Sequence, residues 1–189
     1  PNLDYLLQRV KRVLDLQVPL MKKLIPGVEA GLTSLPRDPD NLLSRALVAG
    51  DQPKISASFG SMGPLAVVVC ADSQAVKDGL FDQAGVDRCA NTPDSQLVRA
   101  RDETAAKTLL PKVVDAAREE FIDHDVAPPD EVPNARCFER KQAIWADNAN
   151  GRFGCFVSFG RYVASVVSNE EKDVRQRAAA QYAILVNSA

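Results

Sequence analysis

Apolar residues in the first part of the chain fall three and four apart: Leu3, Leu6, Leu7, Val10, Val13, Leu14, Leu20, Met21 and Leu24, with Arg9, Lys11, Arg12, Lys22 and Lys23 between them. This spacing predicts an amphipathic helix over residues 3–25. Pro19 should kink it or divide it in two, because proline lacks an amide donor and crowds the preceding turn. Residues 26–53 are rich in Pro and Gly and read as a connector. One short helix is expected there, starting at Asp38 or Asp40 and carrying Leu42, Leu43, Ala46 and Leu47.

The pattern then changes to strands. Lys54 to Phe59 and Leu65 to Cys70 are expected strands joined by a turn at Gly60-Ser61-Met62-Gly63, the second being a β-branched run suited to a buried central strand. A helix is expected from about Ser73 to Ala84, closed by Gly85. Strands at Val86–Ala90 and Leu97–Ala100 precede a long helix capped by Asp102, with Ala105, Leu109, Val113, Ala116 and Ala117 on one face and Pro111 tolerated only early or at a bend. The segment D-H-D-V-A-P-P-D-E-V-P-N, residues 123–134, reads as an acidic surface loop. Three more strands follow, at about Ala135–Ile144, Arg152–Phe159 and Tyr162–Val167, with Asn150-Gly151 fitting a tight hairpin turn. Ser168 with Glu171 forms an S-x-x-E capping box opening a last helix. The expected fold is α+β, in the order ααββαββαβββα, mainly antiparallel with helices packed on one face. Two parts are expected: helix and connector over 1–53, and an α+β domain over 54–189.

Composition narrows the functional classes. With 189 residues, 46% hydrophobic and 25% charged, the chain can bury a sizeable core. Its 23 basic and 25 acidic side chains are interspersed, leaving a net charge of −2 and no electrostatic footprint for nucleic acid. No apolar segment approaches the roughly 18 residues needed to span a bilayer. The chain opens at Pro1 without an initiator methionine, as a processed or trimmed chain would, so cysteine usage carries the argument about compartment.

Four cysteines, Cys70, Cys89, Cys137 and Cys155, stand in no zinc-binding spacing. The strand map favours Cys70–Cys89 and Cys137–Cys155 disulfides, each tying neighbouring elements of a secreted or envelope-exposed domain. Nucleophilic chemistry wants an imidazole near the thiolate or hydroxyl, and the chain has one histidine, His124, flanked by Asp123 and Asp125. It reads as a solvated residue whose proton is favoured by its acidic neighbours. No G-x-S-x-G elbow, calcium loop, phosphate loop or cofactor fingerprint is present. Thus no catalytic residue, metal ligand or cofactor is assigned. Trp145 is the candidate partner contact, with core packing as the competing role.

The stretches C-F-E-R-K-Q-A-I-W, G-R-F-G-C-F-V-S-F-G-R-Y-V-A-S-V-V-S and R-Q-R-A-A-A-Q-Y-A-I-L-V resemble a family of actinobacterial, mycobacterial-type envelope lipoproteins of unassigned function, as do L-D-L-Q-V-P-L, L-P-R-D-P-D-N-L-L-S-R-A-L and D-Q-A-G-V-D-R. The resemblance implies an exported protein held to the membrane by a lipid anchor outside this sequence, of which this chain is the C-terminal domain and connecting helix. The expected function is a non-catalytic envelope domain binding a small ligand or another envelope protein. A hydrolase would instead need two carboxylates converging in a deep pocket, one with a strongly raised pKa. A purely structural module would present a flat apolar patch, contributed by the first helix.

Overall fold

The computed structural model describes residues 3–23, 38–48, 60–64, 66–70, 75, 79–142 and 151–188. The chain divides into two units, Pro1–Pro36 and Arg37–Ala189. In the first, helix α1 spans Leu3–Lys23 as one continuous element with Pro19 inside it, so of the kink or division expected at Pro19 the division does not occur.

In the second unit, the described residues contribute seven strands: β1 (Gly60–Met62), β2 (Arg88–Asn91), β3 (Ser95–Arg99), β4 (Ile122–Val126), β5 (Arg136–Arg140), β6 (Phe153–Phe159) and β7 (Tyr162–Ser168). They form one sheet in the order β1-β2-β3-β7-β6-β5-β4, antiparallel at every pairing. Among the described residues, helices α2 (Leu80–Ala84), α3 (Glu103–Glu120) and α4 (Glu171–Asn187) accompany it. The class is therefore α+β, as the periodicities indicate.

The helices divide between the faces of the sheet. Val174, Ala178 and Leu185 of α4 pack with Ala90, Leu97, Ala164 and Val166. The alternate strand residues Cys89, Val98 and Val163 pack with Leu109, Leu110 and Val113 of α3. Helices thus cover both faces instead of one. The cause is legible in β7: Val163, Ala164, Val166 and Val167 give no clean polar alternation, and such a run is stable only when both faces are shielded from water.

Several local expectations are corrected. Residues 67–70 form a short 3₁₀ turn, not a central strand. The edge of β2 is paired with β1, which takes up Gly60–Met62 where a turn was expected, and Cys70 is bonded to Cys89 on the face of β2. Tertiary pairing here outweighs the β propensity of the valines. Residues 122–126 form the outer strand β4, where the acidic loop was expected. Exposed Asp123, His124 and Asp125 suit an edge, because charges there oppose further strand addition. Helix α4 begins at Glu171 with Glu170 as N-cap, so Ser168 is no capping-box residue. Its hydroxyl accepts the Glu170 amide at 3.2 Å and donates to Asp173. The proposed strand at 54–59, the hairpin residue Asn150 and Trp145 lie outside the described residues, as do 73–74 and 76–78 of the expected helix before Gly85.

Residues 38–48 of the expected connector belong to the second unit. Leu42, Ala46 and Leu47 are buried in the α4-side core, within a segment of two 3₁₀ turns, Pro39–Asn41 and Leu43–Arg45. Asp38 opens that segment by accepting the amides of Leu43 and Ser44 at 2.7 and 2.8 Å. Fully buried Gln181 of α4 holds its other end: the Leu47 amide donates to Oε1 at 2.7 Å, and Nε2 donates to the Arg45 carbonyl at 2.8 Å. Thr92 and Ser95 hydroxyls both donate to the Leu47 carbonyl, at 2.6 and 3.0 Å.

Expected caps are in place elsewhere. The Asp102 carboxylate accepts the Ala105 amide at 2.7 Å, and Gly85 closes α2 with φ +60°, a conformation glycine adopts without steric cost. Pro111 lies inside α3 at an exposed position, where water can serve the carbonyl it leaves without a donor.

Both disulfides join the pairs that the strand order suggests, Cys70–Cys89 and Cys137–Cys155. Cys137 and Cys155 are directly opposed on β5 and β6 and face α4. Such bridges persist in oxidising surroundings, which indicates an extracytoplasmic domain. Among the described residues no helix is long and apolar enough to cross a membrane.

Candidate functional site

Among the described residues, the α3 side of the sheet is not fully covered. Helix α3 lies over β6 and β7, whereas Val67–Cys70 packs against β2. Between these elements the sheet floors a cleft of about 280 Å³. Val98 and Val163 rise from its floor, Phe81 of α2 and Val113 of α3 flank it, and Cys70 and Ala75 complete the apolar lining.

One wall is aromatic. Phe121, the C-cap of α3, lies 5.9 Å from the Phe138 ring, and Phe138 lies 5.5 Å from Phe156. Phe138 is opposed across the strands by Gly154. A Cβ on Gly154 would fall 2.6 Å from the ring, so the glycine is what lets Phe138 lie flat against β6.

Across this face runs a row of polar side chains. Asn91, Gln96 and Ser165 are consecutive cross-strand partners on β2, β3 and β7. In the sequence, Gln96 and Ser165 look like solvent-facing positions of half-buried strands, because their neighbours Leu97 and Ala164 point into a core. The covering helix turns that polar row into the floor of a cleft. No sequence reading selected Gln96 or Ser165, since alternation marks a residue as outward-facing without saying what covers that face.

Gln96, Ser165 and Val167 also line a second depression of about 230 Å³, together with Asn91, Thr92 and Asp94. Arg140 of β5 is common to both hollows. Its guanidinium carbon sits 5.1 Å from the centre of the Phe121 ring, and Nη1 donates to the Gly151 carbonyl at 3.4 Å. Burial lowers its pKa, but an arginine remains protonated in a protein. The site therefore joins an apolar chamber to a polar end carrying a half-buried cation.

The carboxylate in this region, Asp94, is buried and engaged by Arg177 Nη1 at 2.6 Å, while Arg177 Nε donates to Asp173 at 2.7 Å. Named linings of the larger cleft include no carboxylate among the described residues. The convergent acid pair that a carboxylate-based glycoside hydrolase would need is not assembled by these side chains. Among the described residues no cluster of His, Cys, Asp and Glu could hold a metal ion.

His124 stands apart from the cleft, on the exposed edge strand. Its Nδ1 is 3.0 Å from the Asp123 carboxylate and its Nε2 is 3.3 Å from Glu139. The hydrogen bond to Asp123 raises its pKa first, with the charge of Glu139 adding to it. A raised folded-state pKa means that the associated stability is fully present below the unfolded value of about 6.5 and fades as pH rises through the folded one. Replacing His124 by glutamine should therefore lower the melting temperature at pH 5.5 and leave it unchanged at pH 8.5. Equal losses at both pH values would mean that the ring acts by packing instead of charge.

The family described as "Domain of unknown function (DUF7373) C-terminal" matches residues 42–188. The extracellular domain of PknH from Mycobacterium tuberculosis is a similar solved structure at 12% identity and TM-score 0.41, with 87% of this chain and 99% of that chain covered. None of the curated proteins compared with the chain matches it.

Proposed function

The chain belongs to the DUF7373 C-terminal family of domains of unknown function, and within that family we propose that it is a non-catalytic binding module of an exported protein, taking a small ligand in the cleft beside α3. The carrying observation is the combination of a half-open, mainly apolar cleft with a few polar side chains in its lining, which is the usual build of a small-molecule site. At roughly 30 Å³ per non-hydrogen atom, the chamber suits a ligand body of about ten atoms.

The two disulfides support an extracytoplasmic setting. The resemblance of several stretches to mycobacterial-type envelope lipoproteins supports placing the full protein in the cell envelope, with a lipid anchor outside this sequence as its only tie to the membrane. In that setting the domain would present its cleft to ligands of the envelope.

Octanol is a suitable neutral probe, followed by methyl NMR of Val98, Val113 and Val163. Saturable shifts confined to these residues are expected. Enlarging either wall, with Val113→Phe or Val98→Phe, should weaken octanol at least about tenfold while leaving the fold intact, since a filled cavity has no room for the probe. Unaltered binding to both folded variants would show that octanol sits elsewhere, and the proposal would fall.

A further inference from the structure

We propose that the ligand of this cleft is an amphiphile whose polar end carries adjacent hydroxyl groups, held by Gln96 and Ser165, while its apolar body lies against Phe138, Phe156 and the valines of the chamber; this rests on the cleft being the binding site. Gln96 and Ser165 line both the apolar chamber and the adjoining polar hollow. They mark the place where a molecule reaching from one into the other must change from apolar to hydrogen-bonding.

The register of the sheet sets the geometry of that junction. Asn91, Gln96, Ser165 and Phe156 are successive cross-strand partners on β2, β3, β7 and β6. Neighbouring members of such a row stand about 5 Å apart on one face of a sheet. A ligand body resting on Phe156 therefore brings its next atoms over Ser165 and then over Gln96. Two side chains at one strand spacing can each reach one of two hydroxyls borne on neighbouring carbon atoms. A further hydroxyl would fall toward Asn91, in the polar hollow.

The hydrogen-bonding state of the lining selects these two side chains. The charged groups at the junction are already engaged by the protein: Arg177 holds Asp94, and Arg140 donates to the Gly151 carbonyl and has further contacts. By contrast, the half-buried side chains of Gln96 and Ser165 make no hydrogen bond to the described residues. A carboxamide and a hydroxyl each donate and accept. The hydroxyl is the ligand group that likewise does both, so an adjacent pair can answer the amide hydrogens and carbonyl oxygen of Gln96 together with the hydroxyl of Ser165. A carboxylate only accepts and an ammonium only donates, so either would leave part of this set to water.

Octanol, 1,2-octanediol, 1,8-octanediol and octanoate share one chain length and differ in the polar end. 1,2-Octanediol should bind about threefold or more tightly than octanol, because its second hydroxyl finds a partner in the row. Its isomer 1,8-octanediol places that hydroxyl at the far end of the chain, among phenylalanines and valines, and should bind about tenfold or more weakly than 1,2-octanediol. Gln96→Leu and Ser165→Ala should each bring the preference for 1,2-octanediol over octanol close to one, while changing octanol less than about twofold. Neither substitution strands a hydrogen-bond partner among the described residues, so both variants should fold as the parent does.

Equal affinity for the two diols, or a preference for 1,2-octanediol over octanol that survives both substitutions, would overturn the assignment of adjacent hydroxyls while leaving the cleft as a binding site. Tighter binding of octanoate than of 1,2-octanediol would overturn it in favour of an acidic head. Failure of all four probes to shift the methyl signals of Val98, Val113 and Val163 would bring down the cleft reading as well.

Discussion

Replacing Cys137 and Cys155 together by alanine should lower the melting temperature by roughly 6–12 °C, because closing a loop of this length contributes about 3 kcal/mol and each kcal/mol shifts a domain of this size by roughly 2–4 °C. The bridge joins directly opposed residues of β5 and β6, separated by 18 positions in sequence. It also fills the α4-side core, where Cys155 is fully buried. Two alanines restore neither the bond nor the sulfur volume, so a packing loss adds to the entropic one.

The Cys70–Cys89 bridge spans 19 positions, nearly the same loop. Loop entropy alone therefore predicts equal losses for the two double variants. Any excess in one reports what that bridge does in the folded state. Calorimetry of both variants and of the parent, with and without reductant, separates these contributions. A shift under about 2 °C for Cys137 and Cys155 would show that the strands are held by pairing and packing alone, and would remove the stability argument for an oxidising compartment.

Gln181→Leu should destabilise the domain by about 2–4 kcal/mol despite the similar size of the side chains, since each buried polar group left without a partner costs about 1–3 kcal/mol. Two such groups arise: the Leu47 amide, which donates to Gln181 at 2.7 Å, and the Arg45 carbonyl, which accepts from it at 2.8 Å. Water cannot readily replace the amide, because Gln181 and Leu42 are fully buried and Leu47 nearly so. The damage should be local at first, with hydrogen exchange at Leu47 rising well before exchange in β6 and β7. Gln181→Glu isolates the donor side, since its carboxylate can still accept from Leu47 but has no amide to give Arg45. If Gln181→Leu melted within 1 °C of the parent, residues 38–48 would not be anchored through α4.

These two sites differ in how far they can be read from the sequence. The Cys137–Cys155 pair follows from the strand map, because consecutive strands joined by a short connection become neighbours in an antiparallel sheet, whereas Cys70 reaches Cys89 from a 3₁₀ turn where a strand was expected. Gln181 has no such signal. Within R-A-A-A-Q-Y-A it looks like an exposed polar residue of an amphipathic helix, and its burial exists only because residues 38–48 fold over it.

The same division runs through the candidate site. Phe138, Phe156 and Val113 are legible as apolar positions of strands and a helix, yet nothing in their spacing says that α3 leaves a hollow between them. Arg140 reads as an ordinary charged strand residue, and only the adjoining Phe121 and the polar hollow give it a role.

Local chemistry, acting through neighbours a few residues apart, determined the α+β class, the Asp102 and Gly85 helix ends and most strand positions. Tertiary structure alone decided that helices shield both faces, that the Val67–Cys70 run becomes a 3₁₀ turn, that the D-H-D segment closes the sheet as an edge strand, and that Gln96, Ser165 and Arg140 meet at one cleft. The physical reason is common to all four. Periodicity records whether a side chain faces inward or outward relative to its own element, whereas the partner it meets depends on surfaces brought together from distant parts of the chain.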